Sequence, residues 1–224
     1  VIFAAIAALV NTLLGGLFEL IPVVGTVLFF YVVVGPIEET VKWLAIRVHA
    51  YRDESFSVVV DGVVYGAVAG LGFAAIENAI YISRVIGDAS PEVNLFVTAS
   101  GIATVRALAG PGHVIYSAIA GYYLGLAKFN HEYVGPIVLK GLLVAAFVHG
   151  TYNVTVGIVP QFLAAILPVG YGVAFVGYVI GYDVTVGYYL YRKLARYRDA
   201  YQTVSTDGVD APRPELTEFD PPQR

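Results

Sequence analysis

From Gly141 to Tyr182 the chain carries no Asp, Glu, Lys or Arg. A charge-free run that long cannot be spread over the surface of a water-soluble globule. A helix rises 1.5 Å per residue, so about 20 apolar residues cross the hydrocarbon core of a bilayer. This one run therefore holds most of two crossings. The rest of the chain agrees with it. Charged residues make up 13% and hydrophobic residues 58%, with a mean hydropathy of +0.72, whereas roughly a quarter of an ordinary soluble domain is charged. The surplus apolar surface must face lipid, where helices satisfy their own backbone groups. The sequence predicts an all-α, polytopic transmembrane helix bundle in contact with membrane lipid.

Helices are expected at Val1 to Phe18, Val24 to about Tyr51, Val58 to Arg84, within Asn94 to Ala127, at Gly135 to Gly157, and at Ala164 to about Leu194. Pro36 marks a kink or a fresh start in the second. Gly110-Pro111-Gly112 divides the fourth stretch, which makes either two short crossings or one crossing after an interfacial piece. Gly66 and Gly70, with Gly62 one step earlier, form a GxxxG-type stripe that lets helices approach closely in lipid. The total is six or seven crossings. Position 1 is Val, not Met, so a helix ahead of it would raise the count to eight. Val1 to Phe18 has no basic flank and no clear small-residue cleavage site, and does not read as a signal peptide.

The basic cluster Arg192, Lys193, Arg196, Arg198 follows the last helix and argues for a cytoplasmic C-terminus. Residues 198–224 are expected to be a disordered, acidic tail with four prolines after Ala200. From Asp199 onward, six acids stand against Arg213 and Arg224, so the tail holds the whole net charge of −4. The remainder is neutral, and no basic field for nucleic acid exists. Scarce lysine with an acidic tail is compatible with a prokaryotic, salt-loving archaeal source. There is no cysteine, which excludes disulfides, thiol catalysis and cysteine metal ligands.

Four polar constellations interrupt the apolar helices. Glu38-Glu39-Thr40-Val41-Lys42 follows Val27 to Val34, which is lipid-phase sequence. Glu38 and Lys42, at i,i+4, can pair, and that leaves Glu39 on another side of the helix, free to act as a base. Phe73-Ala74-Ala75-Ile76-Glu77-Asn78 is the second. Arg106 and His113 flank the glycine-proline break. His149 and Asn153, at i,i+4, share a face inside the charge-free run. An ionisable residue at the centre of a membrane helix costs roughly 2.5–3.5 kcal/mol on insertion scales. Such groups must therefore converge on one another or on water. Together they can supply a base, an oxyanion donor and the ligands of a divalent metal such as zinc.

Each constellation has a plainer reading. Glu38, Glu39 and Lys42 could end a crossing at the interface, and His113 could be interfacial. Glu77 with Asn78, and His149 with Asn153, could be hydrogen-bonding glue between helices. His49 and His131 are expected in solvated loops. Asp61, Arg84 and Asp183 are expected near helix ends, where long side chains snorkel.

The ordered set resembles a known family. EETVK (Glu38 to Lys42) fits the EExxK motif of PrsW-type intramembrane proteases. GFAAIEN (Gly72 to Asn78) resembles their FxxxEN segment. His113 in GPGHVIYSAIAGYYLG and His149 in HGTYN look like their two later histidine motifs. The related CAAX prenyl proteases have His where this chain has Glu77, which sets it on the PrsW side. The resemblance spans about Gly35 to Asn153. It implies a transmembrane protease-like domain over residues 1–197 of a multi-pass cell-membrane protein. It implies a glutamate-dependent endopeptidase acting on a membrane-anchored protein or peptide, as in site-one cleavage of an anti-sigma factor.

On that reading Glu38 or Glu39 deprotonates a water held also by His113 or Glu77. His149 and Asn153 stabilise the oxyanion, and Lys42, Asn78 and Arg106 support the acidic cluster. If a metal is present, Glu77, His113 and His149 are its ligands. All six principal residues are expected around one water-filled cavity. The alternatives are a non-catalytic scaffold of the same superfamily and a proton- or ion-coupled transporter. The transporter reading lacks the internal repeat with paired broken helices that such folds carry.

Overall fold

A computed structural model describes residues 2–22, 24–88, 90 and 94–207. The described residues form α1 (Ile2–Glu19), α2 (Gly25–Leu28), α3 (Gly35–His49), α4 (Val59–Gly87), α5 (Leu95–Lys128), α6 (Val134–Thr155), α7 (Val159–Ile166) and α8 (Tyr171–Asp207). No strand occurs among them. The molecule is an all-α membrane helix bundle. Four helices are long and apolar enough to cross a membrane by length and composition: α1, α4, α8, and α6 with the 3-10 turn before it. Two further long helical runs, residues 25–49 and α5, carry Glu38, Glu39, Lys42, Arg106 and His113.

Pro36 marks a fresh helix start, one of its two expected roles: it sits in the first turn of α3. A π-helical stretch, Phe29–Val34, joins α2 to α3, and the N–H of Gly35 reaches back to the carbonyl of Phe30. The wider turn absorbs the missing donor and the ring of the proline. Glu38 and Glu39 thus emerge from the first turn of α3.

Gly110-Pro111-Gly112 does not divide α5, contrary to the expected break. The helix runs unbroken through Pro111. One backbone hydrogen bond is lost in a helix packed extensively against α4, and that packing offsets the loss. The last helix also departs from expectation. Ala164 to Ile166 belong to the short α7, and Leu167 to Gly170, with Pro168, separate it from α8. Helix α8 then continues to Asp207, past Ala200. The remainder of the expected tail, residues 208–224, lies outside the described residues.

The glycine stripe of α4 packs as expected. A Cβ at Gly62, Gly66 or Gly70 would collide with the backbone carbonyls of Gly121, Ser117 and His113 respectively. Backbone-to-backbone contact of α4 with α5 therefore fixes the depth of His113. On the other side, Gly35 meets the carbonyl of Ala146, and Gly150 meets Tyr31. These close approaches bring Glu38 on α3 towards His149 on α6. The tyrosines Tyr116, Tyr122 and Tyr123 are buried in the main core with Ile119, Ile137 and Val179. Asp183 lies well inside α8 rather than near an end, with its Oδ1 buried and without a hydrogen-bond partner.

Candidate active site

Four helices deliver the site. Helix α3 contributes Glu38, Glu39 and Lys42, α4 contributes Glu77 and Asn78, α5 contributes Arg106 and His113, and α6 contributes His149 and Asn153. Glu38, Glu39, Lys42, His113 and His149 are all buried. Such a cluster is tolerable only if its charges pair, and most of them do.

The pairing within α3 differs from the sequence expectation. Lys42 Nζ donates to Glu39 Oε1 at 2.6 Å, not to Glu38. A helix offers both the i,i+3 and the i,i+4 neighbour, and here Glu39 and Lys42 both turn towards α5 and α6. Ser117 Oγ donates to Glu39 Oε2 at 3.2 Å, and His149 Nδ1 lies 2.8 Å from Glu39 Oε1. Glu39 is fully buried with three donors around it. It is the held carboxylate, and Glu38 is the freer one. Glu38 Oε1 accepts from Asn11 Nδ2 at 3.0 Å, while Glu38 Oε2 is buried with no hydrogen-bond partner among the described residues and stands 3.8 Å from His149 Nε2.

The second half of the site is an acid-base chain. Arg106 Nη2 pairs closely with Glu77 Oε2, and Arg106 Nε donates to Asn78 Oδ1 at 2.8 Å. Asn78 returns a bond from Nδ2 to the carbonyl of Arg106 at 3.3 Å. Glu77 Oε2 lies 3.0 Å from His113 Nε2, and Lys42 Nζ lies 3.0 Å from His113 Nδ1. The rings of His113 and His149 meet edge to face with centroids 5.0 Å apart. Glu38, Glu39, Lys42, Glu77, Asn78, Arg106, His113 and His149 therefore converge through direct contacts, whereas His49, at the end of α3 rather than in a loop, and His131 are exposed.

A cavity of about 680 Å³ lies between α1, the 25–49 helix, α4, α5, α6 and α8. Glu38, Glu77, Arg106, His113 and Asn153 line it. Glu39 and His149 do not line it; they stand behind Glu38. The expected single cavity thus holds four of the six principal residues, with the other two as its backing.

The side chains fit a divalent cation through a ligand set other than the expected one. Glu38, His113 and His149 bring ligand atoms within 4.8 Å of one another. Two ligands bonded at about 2.1 Å in a tetrahedral site lie about 3.4 Å apart, close to the 3.8 Å between Glu38 Oε2 and His149 Nε2. A carboxylate with two imidazoles is a common donor set for zinc. Glu77, expected as a ligand, is engaged by Arg106 and His113, and His113 would have to give up its contact with Glu77 or with Lys42 to ligate.

The profile of the PrsW family of intramembrane metalloproteases matches residues 1–184. The chain belongs to this family. It is 31% identical over 124 residues to Protease PrsW of Shouchella clausii (strain KSM-K16), covering 55% of this chain and 52% of that one. It is 32% identical over 136 residues to Protease PrsW of Bacillus subtilis (strain 168), covering 60% and 56%. It is 32% identical over 120 residues to Protease PrsW of Geobacillus kaustophilus (strain HTA426), covering 52% and 47%. The chain spans about half the length of the PrsW relatives it matches. No solved structure matches it.

Sequence reasoning missed two residues of this PrsW-type site. Asn11 is the one amide in the largely apolar α1, and that isolation was the available signal. Ser117 stands one turn after His113, and nothing in its neighbourhood marked it.

Proposed function

We propose that this PrsW-family chain is an intramembrane endopeptidase that hydrolyses a peptide bond of a membrane-associated protein. Glu38, His113 and His149 hold a divalent cation such as zinc. One observation carries this reading: Glu38 Oε2 and His149 Nε2 face each other at 3.8 Å with no hydrogen-bond partner for the carboxylate oxygen. The cation would supply a Lewis acid for the scissile carbonyl and an acidified water.

The protein's own groups do the rest. Glu39 accepts the Nδ1 proton of His149 and so presents its Nε2 towards Glu38. Lys42 neutralises Glu39. Glu77, on the cavity wall and held by Arg106, takes a proton from the attacking water. Hydroxide adds to the carbonyl carbon, Asn153 donates to the developing oxyanion, and the C–N bond breaks as Glu77 returns its proton to the amine nitrogen. A preorganised oxyanion donor of this kind contributes roughly 10²–10³-fold to kcat. The chain crosses the membrane several times, with the basic end of α8 on the cytoplasmic side.

A metal-free reading has an observation of its own. With Lys42 donating to His113 Nδ1, the Nε2 proton points at Glu77, and that half of the site is complete without a cation. Glu38 is then the base. The deciding experiment is cleavage of membrane-anchored peptides by purified chain, before and after chelation, with Glu38→Gln as control. Cleavage by the wild type that chelation abolishes and zinc restores supports the metal reading. Cleavage that survives chelation supports the metal-free one. Equal action of the wild type and Glu38→Gln overturns both.

A further inference from the structure

Nothing in the motifs of α3 to α6 involves the first helix, yet α1 reaches the site. Its outer residues Ile2, Leu9, Leu13 and Leu17 are exposed, while Ala4 and Ala7 are buried against Val41 and Phe73. Asn11 sits on the inward side. Its Nδ2 donates to Glu38 Oε1 at 3.0 Å across 27 residues of sequence, and its Oδ1 is buried with no partner. Glu38 has two oxygens to orient. Tying Oε1 to Asn11 leaves Oε2 as the atom turned to His149. Without Asn11, no hydrogen bond among the described residues would stop the carboxylate from rotating about its terminal bond, a broad two-fold torsion.

We propose that Asn11 is a positioning residue that holds Glu38 in the orientation the cation requires, so that α1 is part of the catalytic machinery rather than a lipid-facing anchor alone. The inference rests on the metal reading given above. Groups that hydrogen-bond a metal-ligating carboxylate stand to it as the outer-shell partners of a metal site do, and losing one typically costs roughly 10–100-fold in metal affinity. Asn11→Leu keeps the branched shape and the number of heavy atoms and removes the donor.

The test is a zinc competition titration against a chromophoric chelator, with the full chain purified in detergent. Thr12→Val serves as the packing control, because among the described residues Thr12 Oγ1 bonds only the Ala8 carbonyl of its own helix, at 2.8 Å. Asn11→Leu should weaken zinc binding roughly 10–100-fold, and Thr12→Val should bind like the wild type. Wild-type affinity in Asn11→Leu overturns the inference. So does equal weakening in Asn11→Leu and Thr12→Val, which would assign the effect to helix packing. Zinc that fails to bind even the wild-type chain overturns the metal reading itself, a distinct result.

Discussion

His149 Nε2 and Glu38 Oε2 face each other across 3.8 Å, and with a neutral imidazole both atoms are acceptors. Glu39 lies 2.8 Å from Nδ1 of the same ring, and in the tautomer whose Nδ1 proton it accepts the lone pair is on Nε2. Two buried acceptors aimed at one point repel unless something positive stands between them.

That relationship predicts a bound cation. Purified chain should carry about one divalent ion per molecule, in keeping with an open catalytic site of three protein ligands. His113→Ala, His149→Ala and Glu38→Gln should each lose it. Elemental analysis of chain dialysed with and without chelator checks the stoichiometry. Metal-free wild type with full cleavage activity would sink the idea.

The two adjacent glutamates should behave differently. Glu38→Gln removes a charged ligand and should abolish both metal retention and cleavage. Glu39→Gln keeps the shape but weakens the hold on His149, so metal affinity and kcat should each fall roughly 10–100-fold. Parallel titrations and cleavage rates separate them. Identical losses in the two variants would contradict the division of labour drawn from their contacts.

The helices and the chemistry were legible in the sequence for different reasons. Charge-free runs and isolated glutamates in lipid-phase segments are local signals, and both located real elements. Which glutamate pairs with Lys42 was not local. It depends on where Ser117 on α5 and His149 on α6 sit, and i,i+3 and i,i+4 geometry allow either partner. Pro111 misled because a proline breaks an isolated helix by its local chemistry, whereas here the neighbouring α4 outweighs it. Asn11 was visible only as an amide in an apolar helix, with nothing in the chain to say what it would meet.

Lys42 should be a stability determinant as well as a support of the site. Its side chain is buried, and it is a main counter-charge to Glu39. Removing one partner of a buried pair costs about 3–5 kcal/mol, because the other charge is stranded. Lys42→Met should therefore lower the thermal midpoint of the chain in detergent markedly. Lys42→Met with Glu39→Gln should recover much of that loss while remaining inactive. Melting curves of the four combinations measure the coupling.

Pro111 gives a prediction of the opposite sign. It interrupts one hydrogen bond within a continuous α5, on an exposed face. Pro111→Ala restores the donor and a good helix former. The variant should fold, keep its activity and melt no lower than the wild type. A large loss of cleavage with the fold intact would mean that the site needs the local distortion the proline imposes.

Gly70 and Gly72 differ by two residues on α4, and that difference isolates the close approach that seats His113. A Cβ at Gly70 would collide with the carbonyl of His113, whereas one at Gly72 meets nothing within 4 Å. Gly70→Ala must push α4 and α5 apart, since backbone cannot rotate away as a side chain can. His113 would then move relative to Glu77 on one side and Lys42 on the other. A misplacement of about 1 Å at a reacting group can cost on the order of 10²-fold in rate. Gly70→Ala should therefore lose about that much kcat and bind zinc more weakly, while Gly72→Ala matches the wild type in both. If the two variants behave alike, helix contact at Gly70 does not set the position of His113.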